Sequence, residues 1–131
     1  MKKQYLSENK KNLNILCVKV RELIAIQEYQ KCEDLILHAM ENYPHEPEPH
    51  NLLGILLEKK GEHLLAMKHF RASLALDPTY LPVQQNLKCY GTFFSSGYCA
   101  YDESDCPTEE ENNNYKVEYD MHGIGHVIRR N

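Results

Sequence analysis

Residues 47–80 read PEPHNLLGILLEKKGEHLLAMKHFRASLALDPTY, and they can be laid over residues 13–46, LNILCVKVRELIAIQEYQKCEDLILHAMENYPHE, at an offset of 34. Structural residues then fall into register. Leu16 aligns with His50, Leu23 with Leu57, Glu28 with Glu62 and Cys32 with Ala66. Ile36 aligns with Phe70, Ala39 with Ser73 and Pro44 with Pro78. An internal repeat of this period implies paired helices stacked into a short solenoid, in which each unit buries a face only against its neighbours. Such a stack leaves a concave groove, and a groove suggests binding without naming what is bound.

Each unit carries its own start and stop signals. Leu13, Leu16, Val20, Leu23 and Ile24 keep the spacing of one helical face, predicting a helix from about Glu8 to Ile26 after a frayed lead. Gln27-Glu28 reads as a turn, followed by a helix over Tyr29–Asn42 with Leu35, Ile36 and Ala39 inward. Tyr43-Pro44 ends it, because proline cannot continue a helix and disfavours one at the residue before it. In the second unit Pro47, Glu48 and Pro49 suit a first helical turn, where donors are unpaired and negative charge is favoured. A third helix carries Leu52, Leu53, Leu56 and Leu57 and closes at Lys59-Lys60-Gly61. A fourth runs from His63 to Leu76 and stops at Asp77-Pro78. A fifth starts near Thr79 or Tyr80 and carries Val83, Leu87 and Tyr90.

Beyond Gly91 the pattern fails. Residues 92–101 are aromatic and Ser/Gly-rich, and residues 102–114 are acidic and read as loop or disorder. Tyr115 to Ile128 has the apolar pattern of a short hairpin, marginal if isolated.

Composition excludes several classes. The chain has 131 residues, one domain's worth, and its net charge of -4 is concentrated in the tail, so the repeat body is nearly neutral. A nucleic-acid footprint would need a clustered basic face. No apolar run approaches the roughly 18 residues of a membrane span, and the polar start resembles no signal peptide. The cysteine count is odd, at five, with no C-x-x-C, which points to reduced thiols and a cytoplasmic location.

The second unit resembles the tetratricopeptide repeat (TPR) family. His50, Leu53, Gly54, Leu57, Ala66, Phe70, Ser73 and Pro78 stand at its pattern positions, with His50 for the usual Trp and Ser73 for the usual Ala. The first unit departs further: Lys19 and Val20 replace Leu-Gly, and Cys32 and Ile36 replace Ala and Phe. The resemblance covers about residues 13–90. It implies an all-α solenoid: a lead over 1–12, TPR units over 13–46 and 47–80, a capping helix over 81–91 and an irregular extension over 92–131. Two repeats are fewer than the usual three or so, so the first unit's open side is expected to be covered by a homodimer or by the tail.

The resemblance also implies a groove lined by the first helix of each unit. Its positions here are Asn14, Cys17, Arg21 and Ala25, then Asn51, Ile55, Glu58 and Lys59, then Gln85 and Cys89 from the cap. Arg21 and Asn51 suit a peptide carboxylate or backbone. A solvated helix face is the plain alternative. The family's Lys/Asn/Arg clamp for chaperone C-termini is not reproduced, so those ligands are not expected.

The remaining chemistry is thin. Cys99, Cys106, His122 and His126 are the one cluster of metal-ligand types, but Cys99-x6-Cys106 is loose for a zinc knuckle, and Gly123 and Gly125 argue against a helix bearing both His. His38, His63 and His69 lie on mixed helix faces without a nucleophile beside them. No phosphate loop or paired-carboxylate motif is present. The reading is a non-enzymatic adaptor without cofactor or metal, binding a protein or peptide, with no nucleic acid and no membrane. Two alternatives stand beside it: a metal-binding or redox-responsive Cys/His tail, and a structural subunit assembling through the open first-unit face. A further expectation concerns Phe93, Phe94, Tyr98 and Tyr101, too apolar for a solvated linker: the tail packs on the repeats, and if it enters the groove it competes with a partner.

Overall fold

The computed structural model describes residues 2–91, 99–106, 115–119 and 125–129. Five α-helices form its packed body: α1 (Lys2–Ala25), α2 (Tyr29–Asn42), α3 (Glu48–Lys59), α4 (His63–Leu76) and α5 (Leu81–Tyr90). Helices α1 and α2 pair, as do α3 and α4. Helix α3 also touches α1, α2 and α5, so the pairs stack in one direction. This is a helical-repeat arrangement. No helix among the described residues is long and apolar enough to cross a membrane.

The repeat is written into the turns. Glu28 N donates to Leu23 O at 2.9 Å, and 34 residues on Glu62 N donates to Leu57 O at 2.8 Å. Tyr43 N to Ala39 O and Asp77 N to Ser73 O repeat the same way, as do Glu46 N to Tyr43 O and Tyr80 N to Asp77 O. The tight turn inside each pair needs one residue in the left-handed region: Gly61 (φ 80°) in the second and Gln27 (φ 62°) in the first.

Packing explains the residue choices. A Cβ on Gly54 would lie 2.4 Å from Phe70 Cε1, so only glycine lets α3 approach α4 over that ring. Phe70 is fully buried and stacks on Tyr90 with centroids 5.8 Å apart, which ties α4 to α5. The first pair fills the equivalent space with Val20 and Ile36, both fully buried. A larger residue on one helix thus stands against a smaller one on the other, a volume exchange of the kind that cores tolerate. Ser73 Oγ donates to Pro47 O at 2.8 Å, so its hydroxyl is satisfied in the core. Glu48 is 2% exposed and is held by Lys10 Nζ at 2.7 Å, pinning the start of α3 to α1.

Two expectations change. The lead is not frayed, because α1 begins at Lys2: residues 2–12 contain no glycine or proline, so the helix continues through them. Nor is the extension wholly irregular. Residues 103–105 make a 3₁₀ turn, and β1 (Tyr115–Tyr119) pairs antiparallel with β2 (Gly125–Arg129), Val117 opposite Val127. The expected hairpin is therefore formed. Phe93, Phe94, Tyr98 and His122 lie outside the described residues.

Candidate peptide-binding groove

Helices α1, α3 and α5 are the first helices of successive pairs and lie side by side. Residues 99–106 of the same chain dock on the face they make. At its centre Ala100 is fully buried between two asparagines. Asn86 Oδ1 accepts from Ala100 N at 2.6 Å, and Asn86 Nδ2 donates to Ala100 O at 2.8 Å. Asn51 Nδ2 reaches the same carbonyl at 3.1 Å, while its Oδ1 accepts from Asn86 Nδ2 at 2.7 Å. Both asparagines are fully buried, so this network reads backbone in a site shielded from water. The buried methyl leaves room for a small side chain at this position.

Beside it the segment turns and offers carboxylates. Asp105 Oδ2 accepts from Tyr101 N at 3.0 Å and Asp102 N at 3.3 Å, and Asp102 Oδ1 accepts from Ser104 N at 3.0 Å. This reciprocal capping folds the 3₁₀ turn. The turn aims both acids at Arg21 on α1. Arg21 Nη2 donates to Asp105 Oδ2 and lies 3.6 Å from Asp102 Oδ1, and the guanidinium sits 5.2 Å from the Tyr101 ring centroid. Arg21 is partly exposed, so the two ion pairs together add about 1 kcal/mol and the ring contact about as much again. Tyr101 and Cys99 pack against the core cluster that holds Cys17 and Ile55.

The expected groove residues therefore divide. Arg21 and Asn51 contact the docked segment directly. Cys17 and Ile55 are fully buried beneath the face. Burial pushes the Cys17 thiol up to about 12, with Glu48 and Asp102 adding to it, which keeps the thiol protonated. Asn14 is exposed and, with Lys10, Val18, Tyr80 and Asp102, borders a cavity of about 580 Å³ beside the segment. Lys59 and Ala25 are exposed, and Gln85 and Glu58 are half-buried. Glu58 Oε1 lies 2.5 Å from His63 Nδ1, turned toward the pair's own turn. Cys89 is buried.

Asn86 was missed, although a signal existed. It follows Val83 by three residues, so a polar side chain interrupts the apolar stripe of α5, and such a residue needs a buried partner. Residues 102–114 read as loop or disorder; within them Glu103–Asp105 form a 3₁₀ turn, ordered locally by the Asp102-x-x-Asp105 capping pattern.

Among the described residues no group of three His, Cys, Asp or Glu side chains is placed to hold a metal ion. His126 sits on β2 opposite Glu118. Burial, with Asp105 and Glu103 nearby, pushes the Cys106 thiol up to about 11, which lowers its reactivity as a thiolate. A second hollow, about 550 Å³, lies on the outer face of the α1–α2 pair, lined by Leu23, Ile26 and Leu35 among Lys19, Glu22, Lys31, Asp34 and His38. None of the expected groove residues borders it.

No protein-family profile matches the chain, and no solved structure matches it. Among curated proteins it is similar to the DnaJ homolog subfamily C member 7 homolog of Dictyostelium discoideum, with 30% identity over 83 residues. The match takes in 63% of this chain and 15% of that protein, so the chain spans only a small part of its relative's length.

Proposed function

We propose that the chain is a small TPR-type adaptor that grips an extended segment of another protein in the groove formed by α1, α3 and α5, without catalysis. The observation that carries this is the groove's hold on residues 99–106: two buried asparagines on the backbone of Ala100 and one arginine on two carboxylates. Backbone reading plus charge is how grooves take peptides. The 34-residue recurrence of the turn hydrogen bonds supports unit boundaries at 13–46 and 47–80, with 81–91 as the cap. The distant DnaJ-homolog relative is consistent with a protein-interaction role. The same reading and the thiol usage support cytoplasmic residence.

Affinity capture from native cells tests it. Asp102→Ala/Asp105→Ala loosens the chain's own segment and leaves the groove intact, so it should capture more partner than the wild type. Adding Arg21→Ala and Asn51→Ala should remove that partner. Identical capture by all three proteins would place the interaction elsewhere.

The hollow on the α1–α2 pair favours one second reading, assembly through the first unit's open face. Ile26 is 68% exposed there. A mass in solution that rises with concentration, and returns to the monomer in Ile26→Glu, would support it. A monomer at high concentration would remove it.

A further inference from the structure

The chain carries its own example of what the groove accepts. From Ala100 to Asp105 the docked segment presents a small residue, an aromatic, an aspartate, two spacers and a second aspartate. Each part meets a matching group. Only a small side chain fits where Ala100 is fully buried between Asn51 and Asn86. The aromatic lies beside the Arg21 guanidinium. The two acids are brought to one guanidinium because the Asp-x-x-Asp spacing closes a 3₁₀ turn on its own backbone. The turn's hydrogen bonds lie within the segment itself, and local closure of this kind lowers the ordering cost of a complex. Nothing in this recognition uses a free chain terminus, since Cys106 continues beyond the turn.

We infer that the groove's external ligand is an internal acidic segment of a partner protein with the pattern small–aromatic–Asp-x-x-Asp, and that residues 100–105 compete with it in cis. The inference rests on the groove reading above and adds ligand class and competition to it. The competing segment is tethered, so its effective concentration is high, in the millimolar range for a short connection. A partner must exceed that, or the tail must first be loosened.

The probe is a fluorescent peptide of residues 97–108, added to the full chain bearing Asp102→Ala/Asp105→Ala, with folding checked by circular dichroism. Saturable binding should weaken about fivefold when both peptide aspartates become asparagine, as expected for two partly exposed ion pairs to one guanidinium. It should weaken at least tenfold when the protein also carries Arg21→Ala, and the wild-type chain should bind at least tenfold more weakly than the double variant. Equal binding of the aspartate and asparagine peptides overturns the acidic class and leaves groove binding standing. Binding of neither peptide, with amide shifts showing that the chain's own segment has left, overturns the groove reading itself. A dimer of the double variant that excludes the peptide would assign the groove to a second copy and overturn the inference.

Discussion

Replacing Asn86 by alanine removes the centre of the network that holds the docked segment. Its amide makes three close contacts, at 2.7, 2.8 and 2.6 Å. After truncation Ala100 O keeps Asn51 Nδ2 at 3.1 Å, but Ala100 N and Asn51 Oδ1 lose these partners. Two buried polar groups left unpaired cost about 1–3 kcal/mol each, so roughly 3 kcal/mol is at stake. The segment can respond by leaving the groove, so the measured loss cannot exceed its docking free energy. The full loss would lower Tm by about 10 °C for a body of this size. Urea denaturation gives the energy, and amide exchange at Ala100 gives the local opening. Asn86→Asp adds a second arm. It keeps the acceptor for Ala100 N but turns a carboxylate toward Ala100 O and Asn51 Oδ1. It should be as damaging as alanine at neutral pH and recover in part near pH 4, where the acid can donate. A loss below about 0.5 kcal/mol together with unchanged exchange at Ala100 would refute the reasoning.

Three further outcomes are expected. Gln27→Gly should raise stability by about 0.5–1 kcal/mol in urea melts, because Gln27 holds a left-handed φ that its counterpart Gly61 adopts without a Cβ penalty. Ile36→Phe should cost about 1–3 kcal/mol by overfilling the space beside Val20. Adding Val20→Ala should recover part of that cost, and additive losses would contradict the volume exchange. His50 and His69 lie with ring nitrogens 3.1 Å apart, and burial lowers both from 6.5, with the His50 charge acting further on His69. The unfolded chain then takes up protons first, so this contribution is full above about pH 6.5 and is lost as pH falls through the lowered folded-state values. Tm should drop less between pH 7.5 and 5.5 in His69→Gln than in the wild type, and equal drops would exclude the pair as a source.

Much of the helical body could be read from residue chemistry. Pro44 and Pro78 end helices, Gly61 permits its turn, and Gly54 with Phe70 demands close packing, each by a local rule. The first unit looked degenerate at Lys19-Val20 because the rule for Gly54 was applied to one position, whereas packing is set by the pair Val20–Ile36. The groove was half legible. Arg21 and Asn51 stand on helix faces that periodicity places. Their contacts come from residues 84 and 49 positions away, which no spacing rule connects. The polarity of residues 102–106 resembled that of a solvated loop, and their order depends on a capping pattern of a few residues. Asn86 was readable in principle as a polar break in an apolar stripe.

Residues 99–106 occupy the groove, and the Ala100 amide is the probe nearest the contacts that hold them. Its N–H is buried and donates to Asn86 Oδ1 at 2.6 Å, so hydrogen exchange there in the full wild-type chain should be slowed many-fold relative to an unstructured peptide. Arg21→Ala should speed that exchange while the α3 amides stay protected. An Ala100 amide that exchanges at the free-peptide rate in a chain whose helices are intact would mean that the segment does not sit in the groove.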